Sequence, residues 1–252
     1  MKMMIALTIS FFLCLASGLV PGAPAAAQPE NNAGNKITLT ASMVTSAIDI
    51  ENAIQTVTRQ GARPGTIILD GSEGPFVYSG PDRSINLFYP NLTLRGVNAA
   101  HLTNADDGFF FDDLPADNIR IEDLYIDSRG GGVVGLGQHA NIVISGNTFR
   151  AEGAAIEVNH GRRWTITGNT ILAGSYALHI ASSKDIIVSG NIFNAPTAIL
   201  IEATVAAQID HNTLFASQQG ILLTNESSGS ELSNNTVLCA LHTICQPVQA
   251  EN

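Results

Sequence analysis

Apolar and polar residues alternate along most of this chain in short runs. In the run from Ala154, Ile156 and Val158 fall on one side and Glu157 and Asn159 on the other. Such a period of two predicts strands with one buried face. The runs also recur. "NIVISGNTF" begins at Asn141, "RWTITGNTI" at Arg163, "DIIVSGNIF" at Asp185, "AQIDHNTL" at Ala207 and "ELSNNTVL" at Glu231. Their shared asparagines, Asn147, Asn169, Asn191, Asn212 and Asn235, are spaced 22, 22, 21 and 23 residues apart. Weaker copies start at Asn91 and Asn118, and a second run alternates with the first at Ala154, Tyr176, Thr197 and Gln219.

A repeat of this length is too short for a strand, a crossover helix and a second strand. It holds three short strands separated by turns. One such coil cannot bury its inner face alone, whereas stacked coils form a continuous core. The expectation is an all-β solenoid: a single-stranded, right-handed parallel β-helix of ~22-residue coils. Equivalent residues then fall in columns with a spacing of about 4.8 Å. The recurring Asn becomes a structural amide ladder. The residue before it, Gly146, Gly168, Gly190, His211 or Asn234, is of a type that tolerates positive φ.

These motifs resemble the repeats of right-handed parallel β-helix proteins of the pectin-lyase-like superfold, which include carbohydrate-binding and sugar-hydrolysis domains. The clear repeats run from Asn91 to Leu238. The stretch from Ser46 to Gly71 is similar to that group's N-terminal capping helix and first coil, with Ile50, Ala53, Ile54 and Val57 on one helical face. The expected layout is a signal peptide over 1–27, a cap segment over 28–62, the β-helix over 63–238 and a tail over 239–252. The resemblance implies a fold, since the superfold hosts enzymes and non-enzymes alike. The sequence motifs of its polygalacturonase-like, pectate-lyase-like, epimerase-like and esterase-like members are missing or present only as fragments.

Composition narrows the reading. The formal charge is 12 − 22 = −10, and only Lys36 and Lys184 among the lysines lie beyond residue 27. So acidic a chain is a poor binder of phosphate backbones, which excludes nucleic acid as the expected partner. Met1–Ala27 has a basic start, an apolar stretch and the small-residue site Ala25-Ala26-Ala27, the pattern of a cleaved secretory leader. The expected location is therefore secreted or periplasmic, with no membrane anchor after cleavage. The expected state is monomeric. In an oxidising compartment, Cys239 and Cys245 are placed to bridge.

Candidate chemistry lies on the outer face of the strand "AIEV". Its first outward column reads Phe110, Val134, Glu157, His179, Leu200, Leu222, and its second reads Asp112, Leu136, Asn159, Ala181, Glu202, Thr224. Glu157, His179 and Glu202 are the candidate catalytic residues, with Glu157 and His179 close enough for a hydrogen bond. Asn159, Arg162 and Arg163 are the candidate substrate-binding residues. Eight acids between Asp106 and Asp127 suit calcium in type. They lie on a loop and two strands, so the expectation is no cofactor, with calcium as the alternative. The segments before the "AIEV" strand are short, so the face is open and shallow. The leading expectation is an exported β-helix protein that contacts a polysaccharide or cell-surface glycan without catalysis. One alternative is a polysaccharide-active lyase, C5-epimerase or inverting hydrolase. Another is a structural or protein-binding solenoid.

Overall fold

Period-2 alternation becomes three parallel faces. The computed structural model describes residues 35–78, 83–111, 116–224, 227–239 and 246–250. The leader, Asp112, Asp113 and Cys245 lie outside them. The first face holds nine parallel strands, from Lys36–Thr40 through Gly65–Asp70, Leu92–Val97, Ile119–Glu122, Val143–Ser145, Thr165–Thr167, Ile187–Ser189 and Gln208–Asp210 to Glu231–Ser233. The second face includes His101–Ala105, Tyr125–Ser128, Thr148–Ala151, Thr170–Ala173 and Thr236–Cys239. The third includes Phe109–Phe111, Val133–Leu136, Ile156–Asn159, Tyr176–Ala181 and Gln246–Ala250. The chain is a right-handed β-solenoid of about seven turns, with coils of about 23 residues and one helix near its start.

Inward strand positions are mostly apolar, with Ser128 among the exceptions. Ile144, Ile166, Val188 and Ile209 stack on the first face, Phe149, Ile171, Phe193 and Leu214 on the second, and Ile156, Leu178, Ile199 and Ile221 on the third, all buried. Trp164 fills the interior between the first and third faces. Its indole N–H donates to the His139 carbonyl at 3.0 Å, and its ring lies 5.6 Å from that of Phe111. Gly135 leaves room for it, since a Cβ there would come within 2.6 Å of the indole.

The upstream end is covered by the helix Ala47–Thr58. Ile50, Ala53, Ile54 and Val57 are buried against the first coil. Ser46 and Asp49 form a reciprocal capping box. The Glu51 carboxylate accepts from the Asn86 backbone N–H at 2.7 Å and from its side-chain amide at 2.8 Å. It thereby satisfies a donor on the edge strand Ile85–Asn86, the group that would otherwise recruit a foreign strand.

Both ends of the solenoid differ from the sequence reading. Lys36–Thr40 precedes the helix and pairs in parallel with Gly65–Asp70, so the sheet starts before the cap. Gln246–Ala250 pairs with the Gln219–Leu223 part of its neighbour, so the third face continues beyond Leu238 into the stretch read as a tail. Pairing to an existing edge satisfies backbone groups that a free tail would leave to water. Cys239 is disulfide-bonded; Cys245, its expected partner, lies outside the described residues.

Candidate functional site

The corner between the first and second faces is held by side-chain amides. Asn147, Asn169, Asn191 and Asn212 are buried. Each donates its backbone N–H to the side-chain oxygen of the next Asn, at 2.9, 2.9, 3.0 and 3.0 Å, the last reaching Asn235. The amide nitrogens add contacts to the same oxygens and to first-face carbonyls such as Ile144 and Ile166. Gly146, Gly168, Gly190, His211 and Asn234 precede these residues with φ between 52° and 67°. This column accounts for its own polar atoms, so it is architecture.

The outer side of the third face is different. Its register pairs Phe110 with Val134, Val134 with Glu157, Glu157 with His179, His179 with Leu200 and Leu200 with Leu222. The parallel column pairs Leu136 with Asn159, Asn159 with Ala181 and Ala181 with Glu202. Three ionisable groups converge there. His179 Nε2 lies 2.7 Å from Glu202 Oε2, and its Nδ1 lies 3.8 Å from Glu157 Oε1. The expected Glu157–His179 hydrogen bond is therefore displaced to Glu202. Directly opposite His179 on the next strand stands Leu200, which offers no polar atom. The imidazole turns to the diagonal neighbour two residues on, a reach open to long side chains. Tyr176 flanks it, with ring centroids 5.7 Å apart.

The short contact fits an Nε2–H donating to the Glu202 carboxylate. In the neutral imidazole this leaves Nδ1 as an acceptor facing Glu157. In the protonated ring both nitrogens donate, one toward each carboxylate. The group can therefore pass a proton or present donors and acceptors to hydroxyls. It is also accessible, with side-chain exposures of 20 % for His179, 32 % for Glu157 and 42 % for Glu202.

The other candidates separate. Asn159 borders the group, between Leu136 and Ala181. Arg162 lies beyond the strand end, bridged to Ala140 and Lys184 on either side, and is exposed. Arg163 donates to Asn141 Oδ1 at 2.7 Å, which ties it to the preceding coil. That contact closes a second, exposed ladder that the sequence reading missed. Asn141 donates to Asn118 at 2.9 Å and Asn118 to Asn91 at 3.0 Å, and all have φ near 60°. Its signal was present, since each of these Asn residues opens a first-face repeat.

Five acids of this stretch are held by protein partners. Asp106 pairs with Arg83, Glu122 with Arg120 and Asp123 with Arg95. Asp107 accepts from the Gly131 N–H at 2.6 Å and Asp117 from the Ala140 N–H at 2.8 Å. Among the described residues no group of three or more His, Cys, Asp or Glu side chains is arranged to hold a metal ion.

Among the described residues, several corners leading into the third face are short or absent. Ile192–Glu202 and Thr213–Leu223 each run as one strand across the corner from the second face to the third. Only Gly174 and Ser175 separate Thr170–Ala173 from Tyr176–Ala181.

The sequence profile described as "Right handed beta helix region" matches residues 91–237. The chain belongs to the right-handed β-helix family. Among solved structures it is similar to the mannuronan C-5 epimerase A-module of Azotobacter vinelandii, at 13 % identity and a TM-score of 0.43, over 84 % of this chain and 90 % of that one. It is also similar to the lidless DFA-IIIase of Arthrobacter chlorophenolicus, at 11 % identity and a TM-score of 0.44, over 86 % of this chain and 92 % of that one. No curated protein matches the chain. The family description fixes a scaffold and assigns no site, so the chemistry rests on this chain's own residues.

Proposed function

We propose that this chain is an exported, monomeric β-helix protein that binds a polysaccharide or cell-surface glycan on its third face without cleaving it. The observation that carries this reading is the His179 imidazole held between Glu202 and Glu157 on an open face. Carboxylates, an imidazole and the Asn159 amide offer acceptors and donors to sugar hydroxyls. Leu136 and Leu222, both partly exposed on the same face, offer apolar contact to ring C–H groups. The short corner segments support binding over bond cleavage, because little stands there to exclude water from a reacting bond. Export is supported by the leader pattern of Met1–Ala27.

One observation favours a second reading. The 2.7 Å His179–Glu202 contact is the geometry of an oriented acid–base pair, as a lyase, C5-epimerase or inverting hydrolase requires. A screen of the chain on acidic and neutral polysaccharides, with and without calcium, separates the two. Retention on an immobilised glycan without new reducing ends, unsaturated uronate or altered epimer ratio supports binding. Turnover that His179→Ala lowers by about 100-fold or more replaces it with the catalytic reading.

A further inference from the structure

The outer side of the second face changes character along the solenoid. Past the exposed Val77 at its start, it is first polar or charged: His101, Tyr125, Asp127 and Arg150 stand there. Downstream, two columns run side by side. One pairs Leu172 with Asn194, Asn194 with Phe215 and Phe215 with Leu238. The other pairs Thr170 with Ile192, Ile192 with Thr213 and Thr213 with Thr236. Leu172, Ile192, Phe215 and Leu238 are exposed by 48, 46, 40 and 46 %. Beside them lies a groove of about 280 Å³ whose lining, among the described residues, includes Asn194, Pro196, Phe215 and Ser217 and no charged residue.

Size and charge narrow the occupant. Four half-exposed apolar side chains amount to roughly 300–400 Å², against about 800 Å² per partner in a standard protein interface. That is too little for a stable second copy of this chain. It suits a narrow ligand. An uncharged lining gives no counter-charge to a uronate or a phosphate. An aromatic face open to water, with hydroxyls one column away and an amide on the adjacent strand, matches a ring that has an apolar C–H face and a hydroxylated rim. The columns also repeat at every coil, about 4.8 Å apart, close to the length of a pyranose unit.

We propose that this strip is a second carbohydrate site, distinct from the third face, which takes a neutral, unbranched polysaccharide lying along the solenoid axis. A sugar ring stacks on Phe215, with Leu238 supporting the next ring and Leu172, beyond Asn194, a ring two units back. Thr213, Thr236, Asn194 and Ser217 serve the hydroxyls. The proposal does not depend on the third-face reading.

Affinity electrophoresis of the full chain tests it, through gels holding hydroxyethylcellulose, mixed-linkage β-glucan, glucomannan or polygalacturonate. The native chain should be retarded by at least one neutral polymer. Phe215→Ala should weaken that retention roughly tenfold, with an unchanged thermal transition, and Phe215→Trp should keep it. The result should hold in a His179→Ala background, which removes the third-face contribution. Equal retention of native and Phe215→Ala chains on every neutral polymer overturns the proposal, as does retardation by polygalacturonate alone or by none. A concentration-dependent dimer abolished by Phe215→Ala also overturns it, in favour of a second copy. A loss with His179→Ala but not with Phe215→Ala leaves only the third-face site standing. The converse leaves only this one.

Discussion

The amide ladder and the Glu157–His179–Glu202 group are built by the same parallel register, yet one repeats and the other does not. In the ladder each coil contributes the same side chain, and each rung satisfies the next. Removing a rung leaves buried donors without acceptors. On the third face the column passes from Val134 to Glu157, His179 and Leu200 within three steps. That break contributes little to folding, because its groups are partly solvated. Repetition therefore marks architecture in this solenoid. Departure from repetition on an accessible face marks the places where a ligand can be recognised. The second face repeats the lesson, where a polar run gives way to Leu172, Phe215 and Leu238.

The largest effect should come from breaking the ladder at its middle. Asn169→Ala strips the Asn147 backbone N–H of its acceptor and the Ile144 carbonyl of a donor. It should cost about 2–4 kcal/mol, read as a lowered urea midpoint with an unchanged slope. Asn235→Ala, at the partly exposed end, should cost clearly less. Equal losses at the two sites would deny the ladder its cooperative role.

Strain at the same corner ranks next. Gly168 has φ +63, and a Cβ added there would project into open space, so Gly168→Ala tests backbone strain alone. The expected loss is about 1 kcal/mol, measurable as a lower melting temperature. Gly168→Asn should recover part of it, because Asn tolerates this conformation.

On the third face the order of effects should invert. His179→Ala should change stability by less than about 1 kcal/mol while glycan retention falls several-fold. A large drop in melting temperature with unchanged retention would place His179 in the architecture instead.

The smallest effects are in pH dependence. Backbone and hydroxyl hydrogen bonds from Thr45 and Ser46 hold the Asp49 carboxyl below its ordinary value of 3.8, against a smaller opposing effect of burial. The stability it contributes is complete above that ordinary value and is lost as pH falls through the lower folded one. Asp49→Asn should flatten this acid limb of a stability–pH curve. Burial likewise lowers His101 from 6.5, with Asp127 opposing. Below 6.5 the unfolded chain takes up a proton more readily than the folded one, so stability declines as pH falls through that range. His101→Gln should remove that shallow step.

Much of this was legible in the chain before folding. The spacing of Asn147, Asn169, Asn191, Asn212 and Asn235 determined the coil length. The alternation in Ile156–Asn159 determined which residues point outward, and the stripe Ile50, Ala53, Ile54, Val57 determined the covering helix. These features are local or strictly periodic, so a period of two, a period of 3.6 and a fixed repeat are enough to place them. Tertiary structure decided the rest. It gave His179 to Glu202 and tied Arg163 to Asn141. It ran strands unbroken across the corner at Ala195–Thr197, and set Phe215 beside Asn194 and Leu238. The physical reason is reach. Register brings several long side chains within range of one another at nearly equal distances, and only the neighbours present in space select among them.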